Sequence, residues 1–300
     1  MINRKTVVCQ FLFLMWLPML SLAEDINTPS SNVVDNAIPK YPQGKLPCKK
    51  NSAINTDTDN AAPALPAVRI REAATRSQPA AENAAAKTCL PRSGRIRFAV
   101  TRGEGGMVVA ESIHEWHHDG LRYTMTATTR TTGLAALLKP ATIVQISQGS
   151  IQNGNLKPAL FHYDRGDNDI VEAVFDWSAL RIRFKVGSVE ALEAGTEDLL
   201  SMFYQLMQVA QNSKGLVMAV TNGRKVERYA FEWLGDEELR LKTGRVSASH
   251  VRVTAVSGGR DTTEVWLGRE VAGLPVKIRN TDRKGAVFDQ VAEELDYEGK

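Results

Sequence analysis

Phenylalanine and tryptophan are absent from residues 24–94, a stretch that instead holds eight of the chain's twelve prolines. A segment without large apolar side chains cannot bury enough surface to offset the entropy of ordering its backbone. We therefore predict that residues 24–94 form a disordered Pro/Ala-rich tether, which leaves 95–300 as a single β-rich globular domain. The composition favours a simple spacer, and a partner-binding motif within it is the alternative.

The globular part also lacks an excess of charge of either sign. The chain has 37 basic and 34 acidic residues and a pI of about 8.7. Two basic residues precede residue 24, and nine basic and seven acidic residues lie in 24–94, which leaves 26 basic and 27 acidic residues from Arg95 onward. A nucleic-acid-binding domain needs clustered lysine and arginine, so no nucleic-acid partner is predicted.

The first 23 residues contain a long apolar run. Arg4 and Lys5 precede an almost unbroken apolar stretch, and Ser21-Leu22-Ala23 offers small residues where a signal peptidase cleaves. A helix of roughly 16 residues spans about 24 Å, which is less than the ~30 Å hydrocarbon core of a bilayer. We predict a signal peptide at 1–23 that is cleaved on export to the periplasm. An uncleaved inner-membrane anchor is the alternative.

Cysteine is scarce. Cys9 lies in the predicted signal peptide, which leaves Cys48 and Cys89 in the mature chain. Disulfides persist in oxidising compartments such as the periplasm. We predict a Cys48–Cys89 disulfide that closes a loop of about 40 residues and contributes at most ~4 kcal/mol. Free or intermolecular thiols are the alternative.

From Arg95 onward, apolar and polar residues alternate with a period of two, which is typical of strands with one buried face. Pairs such as Asn153-Gly154 and Asn222-Gly223 suit the tight turns between such strands. About ten antiparallel strands are expected, without a βαβ rhythm. The apolar face is predicted to carry Ile96, Phe98, Val100, Leu121, Tyr123, Met125, Ala127, Val171, Ala173, Phe175, Trp177, Ile182, Phe184, Val186, Tyr229, Phe231, Trp233, Val251, Val253, Ala255, Leu274, Val276 and Ile278.

One segment shows convincing helical spacing, over residues 197–212. Thr196 and the acids Glu197 and Asp198 would begin the helix. Its apolar residues are Leu199, Met202, Phe203, Leu206, Met207 and Ala210. Burying the large ones would contribute on the order of 10 kcal/mol, and only the apolar face of the sheet could cover them. The predicted fold class is therefore mainly β, a curved antiparallel sheet or half-open β-barrel wrapped around one main α-helix. A shorter helical turn is predicted from Thr132 to Lys139.

Motifs that carry catalysis or bind cofactors are missing. The sequence has no phosphate loop, dinucleotide fingerprint or Cys-x-x-Cys. Ser147 and Ser150 flank Gly149 without forming the Gly-x-Ser-x-Gly elbow that exposes a nucleophile. Glu172 and Asp176 share one strand face and are interpreted as solvated. We predict no enzyme activity, no catalytic residue and no cofactor.

Three histidines near one another invite a metal-site interpretation. On a strand, His114 and His118 would share a face and His117 would point the other way. No fourth ligand is spaced nearby. They are interpreted as a polar, solvated strand end, and no metal site is predicted.

The residues expected inside the barrel define a candidate ligand site. Methionine makes an adaptable apolar surface that suits a lipid or acyl chain. The predicted lining consists of Tyr123, Met125, Met202, Phe203, Leu206, Met207, Phe231 and Trp233. Ordinary core packing is the alternative.

Six short motifs occur in order along the globular part. They are Trp116, Gly120 and Tyr123; Thr132-Gly133-Leu134; Ser147, Gly149 and Ile151; Leu156 and Pro158; Asp198, Leu200-Ser201 and Tyr204-Gln205; and Leu274-Pro275-Val276-Lys277-Ile278. Together they resemble a bacterial envelope family known as a domain of unknown function, numbered 3108, over about residues 95–298. That family is similar in fold to the lipoprotein carrier and receptor proteins LolA and LolB, which have an open antiparallel β-barrel closed by helices around an apolar cavity.

The resemblance implies a half-barrel around a helix and carries over no functional residue. No cysteine follows Ala23, so the chain does not resemble the lipid-anchored receptor. The leading expectation is a non-enzymatic periplasmic protein that binds a lipid or lipoprotein acyl chain inside the barrel. The alternative is an envelope assembly or scaffold domain with a packed core and protein partners.

Overall fold

The computed structural model describes residues 88–166, 169–208 and 215–298. The predicted signal peptide and nearly all of the predicted tether lie outside these residues. In chain order the elements are β1 (Ser93–Arg102), β2 (Met107–His118), β3 (Arg122–Thr131), α1 (Gly133–Leu138), β4 (Thr142–Gln152), β5 (Asn155–Asp164), β6 (Ile170–Asp176), β7 (Arg181–Phe184), β8 (Val189–Ala191), β9 (Glu197–Asp198), α2 (Ser201–Gln205), a 3₁₀ turn (Leu206–Gln208), β10 (Leu216–Thr221), β11 (Val226–Leu241), β12 (Gly244–Ala255), β13 (Thr262–Gly268), β14 (Pro275–Thr281) and β15 (Val287–Tyr297).

These strands form one sheet in the order β8-β7-β6-β5-β4-β3-β2-β1-β15-β14-β13-β12-β11-β10-β9. The neighbours are antiparallel except for β9 and β10, which are parallel. Because β1 pairs with both β2 and β15, Ile96 lies opposite His114 on one side and Leu295 on the other. The pairing of β1 with β15 thus joins two meanders, β1–β8 and β9–β15, into a single sheet.

The sheet is curved and unclosed. Register shifts interrupt the pairing of β1 with β2 and β15, of β4 with β5, of β11 with β12 and of β13 with β14. Such irregularities bend and twist a strand locally. The end strands β8 and β9 do not pair with each other, and side chains link the two meanders instead. Val226 N donates to Glu190 Oε2 at 2.9 Å, and Arg228 forms an ion pair with Glu193 at 2.7 Å. The prediction of a mainly β, curved antiparallel sheet is confirmed.

The interior face carries most of the predicted apolar residues in one cluster. Three of them are exceptions. Val100 is buried in a second, smaller cluster with Ala110 and Phe288, whereas Leu121 is 68% exposed and Val186 is 73% exposed. Leu121 lies just before β3 and Val186 follows β7, so each lies where the strand has ended and alternation no longer dictates which side is buried.

The prediction of one main helix at 197–212 is wrong. Glu197 and Asp198 form β9 and pair with Val220 and Thr221 of β10, so α2 begins only at Ser201. After five residues it continues as the 3₁₀ turn, which ends at Gln208. Apolar spacing revealed the buried face of this segment but not its length, because the acids interpreted as first-turn residues belong to a strand. All five residues of α2 are buried. The shorter helical turn after Thr132 is confirmed as α1.

Candidate functional site

The most unusual feature of the interior is a group of buried polar side chains around α2. Glu197 and Asp198 are 1% and 0% exposed, although both are acids. The parallel pairing of β9 with β10 places them at the end of the sheet, and Leu199 N donates to Thr221 O at 3.2 Å. Ionisable groups are almost never fully buried without partners, so the contacts of these two carboxyls decide what the site can do.

The Asp198 carboxylate accepts three hydrogen bonds. Its Oδ1 receives the backbone N–H groups of Leu200 and Ser201 at 2.9 and 2.8 Å, and its Oδ2 receives Ser147 Oγ at 2.6 Å. In return, the Asp198 N–H donates to Ser201 Oγ at 3.0 Å. Burial nevertheless raises the pKa of Asp198 to about 6, although these hydrogen bonds oppose the rise. The aspartate therefore fixes the start of α2 against β4.

Ser147 connects this aspartate to β3. Its hydroxyl lies 3.1 Å from Tyr123 OH, and both side chains are buried. The tyrosine ring packs tightly on Gly149, where a Cβ would lie 2.8 Å from Tyr123 Cε1 and 2.2 Å from Lys157 O. Only glycine fits at that position, so Gly149 is a packing requirement of the Tyr123–Ser147–Asp198 chain.

Glu197 is less well satisfied. A hydrogen bond from Ser201 reaches its side chain, but its Oε2 has no partner among the described residues. Burial raises the pKa of Glu197 well above its usual value, and the neighbouring Asp198 carboxylate adds to the rise. The site therefore holds two adjacent carboxyls whose pKa values are both raised by burial, and Glu197 is the one with spare hydrogen-bonding capacity.

The histidine interpretation is corrected at two of three positions. His114 and His118 are buried and His117 is exposed. The prediction that His114 and His118 share one face of the strand is confirmed, and the prediction that they form a solvated strand end is wrong. His114 Nδ1 lies 3.0 Å from Tyr204 OH on α2, and burial lowers the pKa of His114 to about 3, which keeps the imidazole neutral. His118 Nε2 lies 3.0 Å from Leu90 O. Both residues face inward because they lie on the buried face of β2, where burial alternates along the strand and Trp116 lies between them.

Two glutamines hold the far end of the helical segment. Gln205 accepts from Leu156 N and donates to Asn155, each at 2.9 Å, which ties α2 to the start of β5. Gln208 donates to Thr88 at 2.7 Å and accepts from Cys89 N at 3.2 Å. Thr88 and Cys89, which lie shortly before β1, are therefore held by the 3₁₀ turn that follows α2 inside the curved sheet.

Cys89 lies at this anchored entry point and is disulfide-bonded. Its predicted partner, Cys48, lies outside the described residues, so the pairing of Cys48 with Cys89 stays a prediction. The disulfide at Cys89 therefore attaches its partner to a residue that is itself hydrogen-bonded to Gln208 of the domain.

The predicted ligand-lining residues come together. All eight belong to, or pack against, one apolar cluster inside the sheet. Met207 and Trp233 are partly buried, and the six that are nearly or fully buried are Tyr123, Met125, Met202, Phe203, Leu206 and Phe231. Their role in binding a ligand stays a prediction.

Across residues 88–166, 169–208 and 215–298, no cluster of histidine, cysteine, aspartate or glutamate is arranged to hold a metal ion. In the same residues, no helix has the length and apolar character needed to cross a bilayer.

The polar network was missed from the sequence because each member had a more ordinary interpretation. The sequence pattern predicts Asp198 as an acid in the first turn of a helix, Ser147 as a serine outside any nucleophile elbow, and His114 as part of a solvated strand end. The signal that could have found it is the set of family-like motifs. Members of three separate motifs meet in a single hydrogen-bonded chain, namely Tyr123, Ser147 and the pair Asp198 and Ser201. These three motifs are therefore explained by packing around α2.

A family match agrees with this architecture. The family model for a protein of unknown function, DUF3108, matches residues 96–291, and the chain belongs to that family. The match runs from within β1 to the first half of β15, which is nearly the whole described sheet. A search of curated proteins finds no match.

Solved structures offer weaker likenesses. A β-barrel-like protein of the domain of unknown function DUF1849 from Brucella abortus is 11% identical, with a TM-score of 0.49, over 69% of this chain and 98% of that one. A "putative lipoprotein" from Parabacteroides distasonis is 9% identical, with a TM-score of 0.35, over 70% and 98%. A protein with a YmcC-like fold from Bacteroides fragilis is 10% identical, with a TM-score of 0.31, over 70% and 99%.

Proposed function

We propose that this chain is a non-enzymatic periplasmic protein whose filled half-barrel acts through its outer surface on envelope partners, with the N-terminal tether setting its reach. The observation that supports a filled barrel is the packing of the interior. Met125, Met202, Leu206 and Phe231 are each at most 1% exposed. A cavity of several hundred Å³, which an acyl chain would need, would leave the side chains that line it accessible to a water-sized sphere.

The polar network supports the same proposal. Asp198, Ser147, Gln205 and Tyr204 use their hydrogen bonds on the protein itself, across β2, β3, β4, β5 and α2. Groups so engaged stabilise one arrangement of the interior, and moving α2 to admit a ligand would break several of these bonds at once. The interior thus serves as a rigid support, and the outer surface is left to make contacts.

Native mass spectrometry of the protein purified from its envelope tests the filled barrel. We expect a single ligand-free mass, and solvent extraction is expected to release no stoichiometric lipid. In cells, a photo-crosslinking residue at exposed Val217 or Leu234 is expected to trap defined neighbours, while the same residue at buried Phe231 should trap none. A stoichiometric bound lipid in the purified protein would contradict the proposal.

Apolar-ligand binding remains the second candidate function, and the unclosed sheet favours it. The end strands β8 and β9 leave the barrel open, and two of the predicted lining residues, Met207 and Trp233, are only partly buried. If a lipid or lipoprotein acyl chain enters beside α2, Met207→Gln should lower the amount of co-purified lipid several-fold. Leu216→Gln, at another partly buried position on the same cluster, is the matched control and should leave that amount unchanged.

A further inference from the structure

Helix α1 carries three leucines that the fold does not use. Leu134, Leu137 and Leu138 are 58%, 82% and 68% exposed, and no residue of the helix is buried. Side chains of this size normally form cores, and a contiguous group of them on a surface marks an interaction site. The folding of the domain therefore does not account for these leucines.

Two further apolar residues lie beside them. Thr132 N donates to Val109 O at 3.0 Å, which holds the start of α1 against the beginning of β2, where Met107 and Val108 are 64% and 48% exposed. We call these two residues and the three leucines the leucine tip. It holds five of the twelve exposed large apolar side chains of the described residues, although it occupies one end of two elements.

The charges around the tip are mostly positive. Arg130 precedes α1 and Lys139 follows it, and neither forms an ion pair within the described residues. No aspartate or glutamate occurs from Gly120 to Tyr163. Glu111 lies opposite Arg130 across the β2–β3 pair, but it forms an ion pair with Arg97 at 3.3 Å. The nearby β1–β2 turn adds Arg102 and Glu104. Glu104 is neutralised by Arg279 at 3.0 Å, and the Arg102 guanidinium lies over the Phe288 ring. The tip is therefore an apolar point flanked by cations.

We propose that the leucine tip docks onto the surface of a bilayer rich in anionic lipid. Apolar side chains that enter the headgroup region, combined with cations that face anionic headgroups, make up the usual chemistry of interfacial membrane binding. The charge pattern favours this partner over a protein, because both unpaired cations flank the apolar group and no carboxylate lies on the same stretch of chain. The inference rests on the proposed surface role of the domain and gives that surface a location.

Vesicle sedimentation tests the tip with the protein as purified from the envelope, so that every variant carries the same N-terminal region. The vesicles are phosphatidylglycerol mixed with phosphatidylethanolamine, compared with pure phosphatidylcholine. We expect wild-type protein to bind the anionic vesicles more strongly. The triple variant Leu134→Ser/Leu137→Ser/Leu138→Ser should lower the partition coefficient at least ten-fold. Arg130→Gln/Lys139→Gln should lower it several-fold and reduce its dependence on salt.

The matched control is Leu121→Ser/Val186→Ser, which removes two equally exposed apolar residues elsewhere on the barrel and should change binding less than two-fold. Circular dichroism of each variant checks that the sheet is intact. Three results would overturn the inference: no preference for anionic vesicles, unchanged binding by the triple serine variant, or a tip-dependent dimer or protein complex without vesicle binding. Lipid extraction tests separately whether the half-barrel is filled, so the filled-barrel proposal and the leucine-tip proposal can each fail without the other.

Discussion

Helices α1 and α2 are both about one turn long and both rich in apolar residues, yet their surroundings are opposite. Every residue of α2 is buried, and Asp198, Tyr204 and Gln205 hydrogen-bond it to three strands. No residue of α1 is buried, and no side chain caps its first turn. The comparison teaches that apolar content does not decide burial in this domain. The difference lies in polar contacts. Side-chain hydrogen bonds to the sheet hold α2 in the interior, whereas α1 stays on the surface, where it can contact a partner.

The comparison is tested most strongly by truncating one side chain on each helix. Met202 is 0% exposed, so Met202→Ala should lower the free energy of unfolding by about 3 kcal/mol through lost burial and the cavity left behind. Leu137 is 82% exposed, so Leu137→Ala should change it by less than about 0.5 kcal/mol. Urea unfolding followed by circular dichroism measures both. Equal losses would mean that α1 is part of the core.

The buried carboxyl at the start of α2 predicts an unusual pH dependence. Asp198 has a pKa raised by burial from 3.8 to about 6, so the native chain keeps a proton that the unfolded chain releases. The contribution of Asp198 to stability is therefore complete below pH 3.8 and is lost as the pH rises toward 6. The loss is roughly 3 kcal/mol, at about 1.4 kcal/mol for each unit of pKa difference. The Asn variant of Asp198 should lack this loss.

The measurement is the difference in unfolding free energy between wild type and Asp198→Asn from pH 4 to pH 7. Surface carboxyls with lowered pKa values, such as Asp119, make the unfolding free energy rise with pH. This effect is the same in both proteins, so it cancels when the two free energies are subtracted. Glu298→Gln removes an exposed carboxyl and serves as the control, with no change expected across this range. If the wild type and the Asp198 variant show parallel pH profiles, the aspartate is not buried as described.

A smaller effect is expected from the tyrosine of α2. Tyr204→Phe removes the hydroxyl that meets His114 Nδ1, and His114 Nε2 already has no partner among the described residues. A buried polar group without a partner costs about 1–3 kcal/mol, so the variant should lose an amount in that range. Tyr297→Phe, at a partly buried position in β15, should lose less.

A double-mutant cycle with His114→Leu assigns the loss. When the imidazole is also removed, Tyr204→Phe should cost much less, because no histidine is left unsatisfied. Additive losses would instead mean that the hydroxyl contributes independently of His114, because Phe keeps the ring and its packing against Trp116, whose centroid lies 5.5 Å from that of Tyr204.

The fold could be predicted from the sequence where a single local rule decides the outcome. Period-two alternation located strands such as β1 and β6, since each has one buried face along its whole length. Asn153-Gly154 marked a hairpin, since both residues adopt positive φ, at 53° and 83°. The extent of α2 could not be predicted this way. Glu197 and Asp198 are acids of the kind that often begin a helix, but in the structure they form β9 and pair in parallel with β10.

The polar network lay beyond the sequence for a related reason. Tyr123, Ser147 and Asp198 are 24 and 51 residues apart along the chain and meet only because the sheet curls. No local pattern encodes such a meeting. The pairing of β1 with β15 was equally hidden, since it joins residues almost 200 positions apart, such as Ile96 and Leu295.

The smallest expected effect concerns the first residue of α1. Gly133 has a φ of 55°, a left-handed conformation that costs an alanine about 1 kcal/mol. Because no residue of α1 is buried, we expect the helix to unwind locally rather than pass that strain to the barrel. Gly133→Ala should then change the global free energy of unfolding by less than about 1 kcal/mol. It should speed amide exchange at Ala136 and Lys139, whose N–H groups bond to Thr132 O and Ala135 O. Faster exchange at α2 as well would mean that the two helices are coupled, and their contrast would no longer hold.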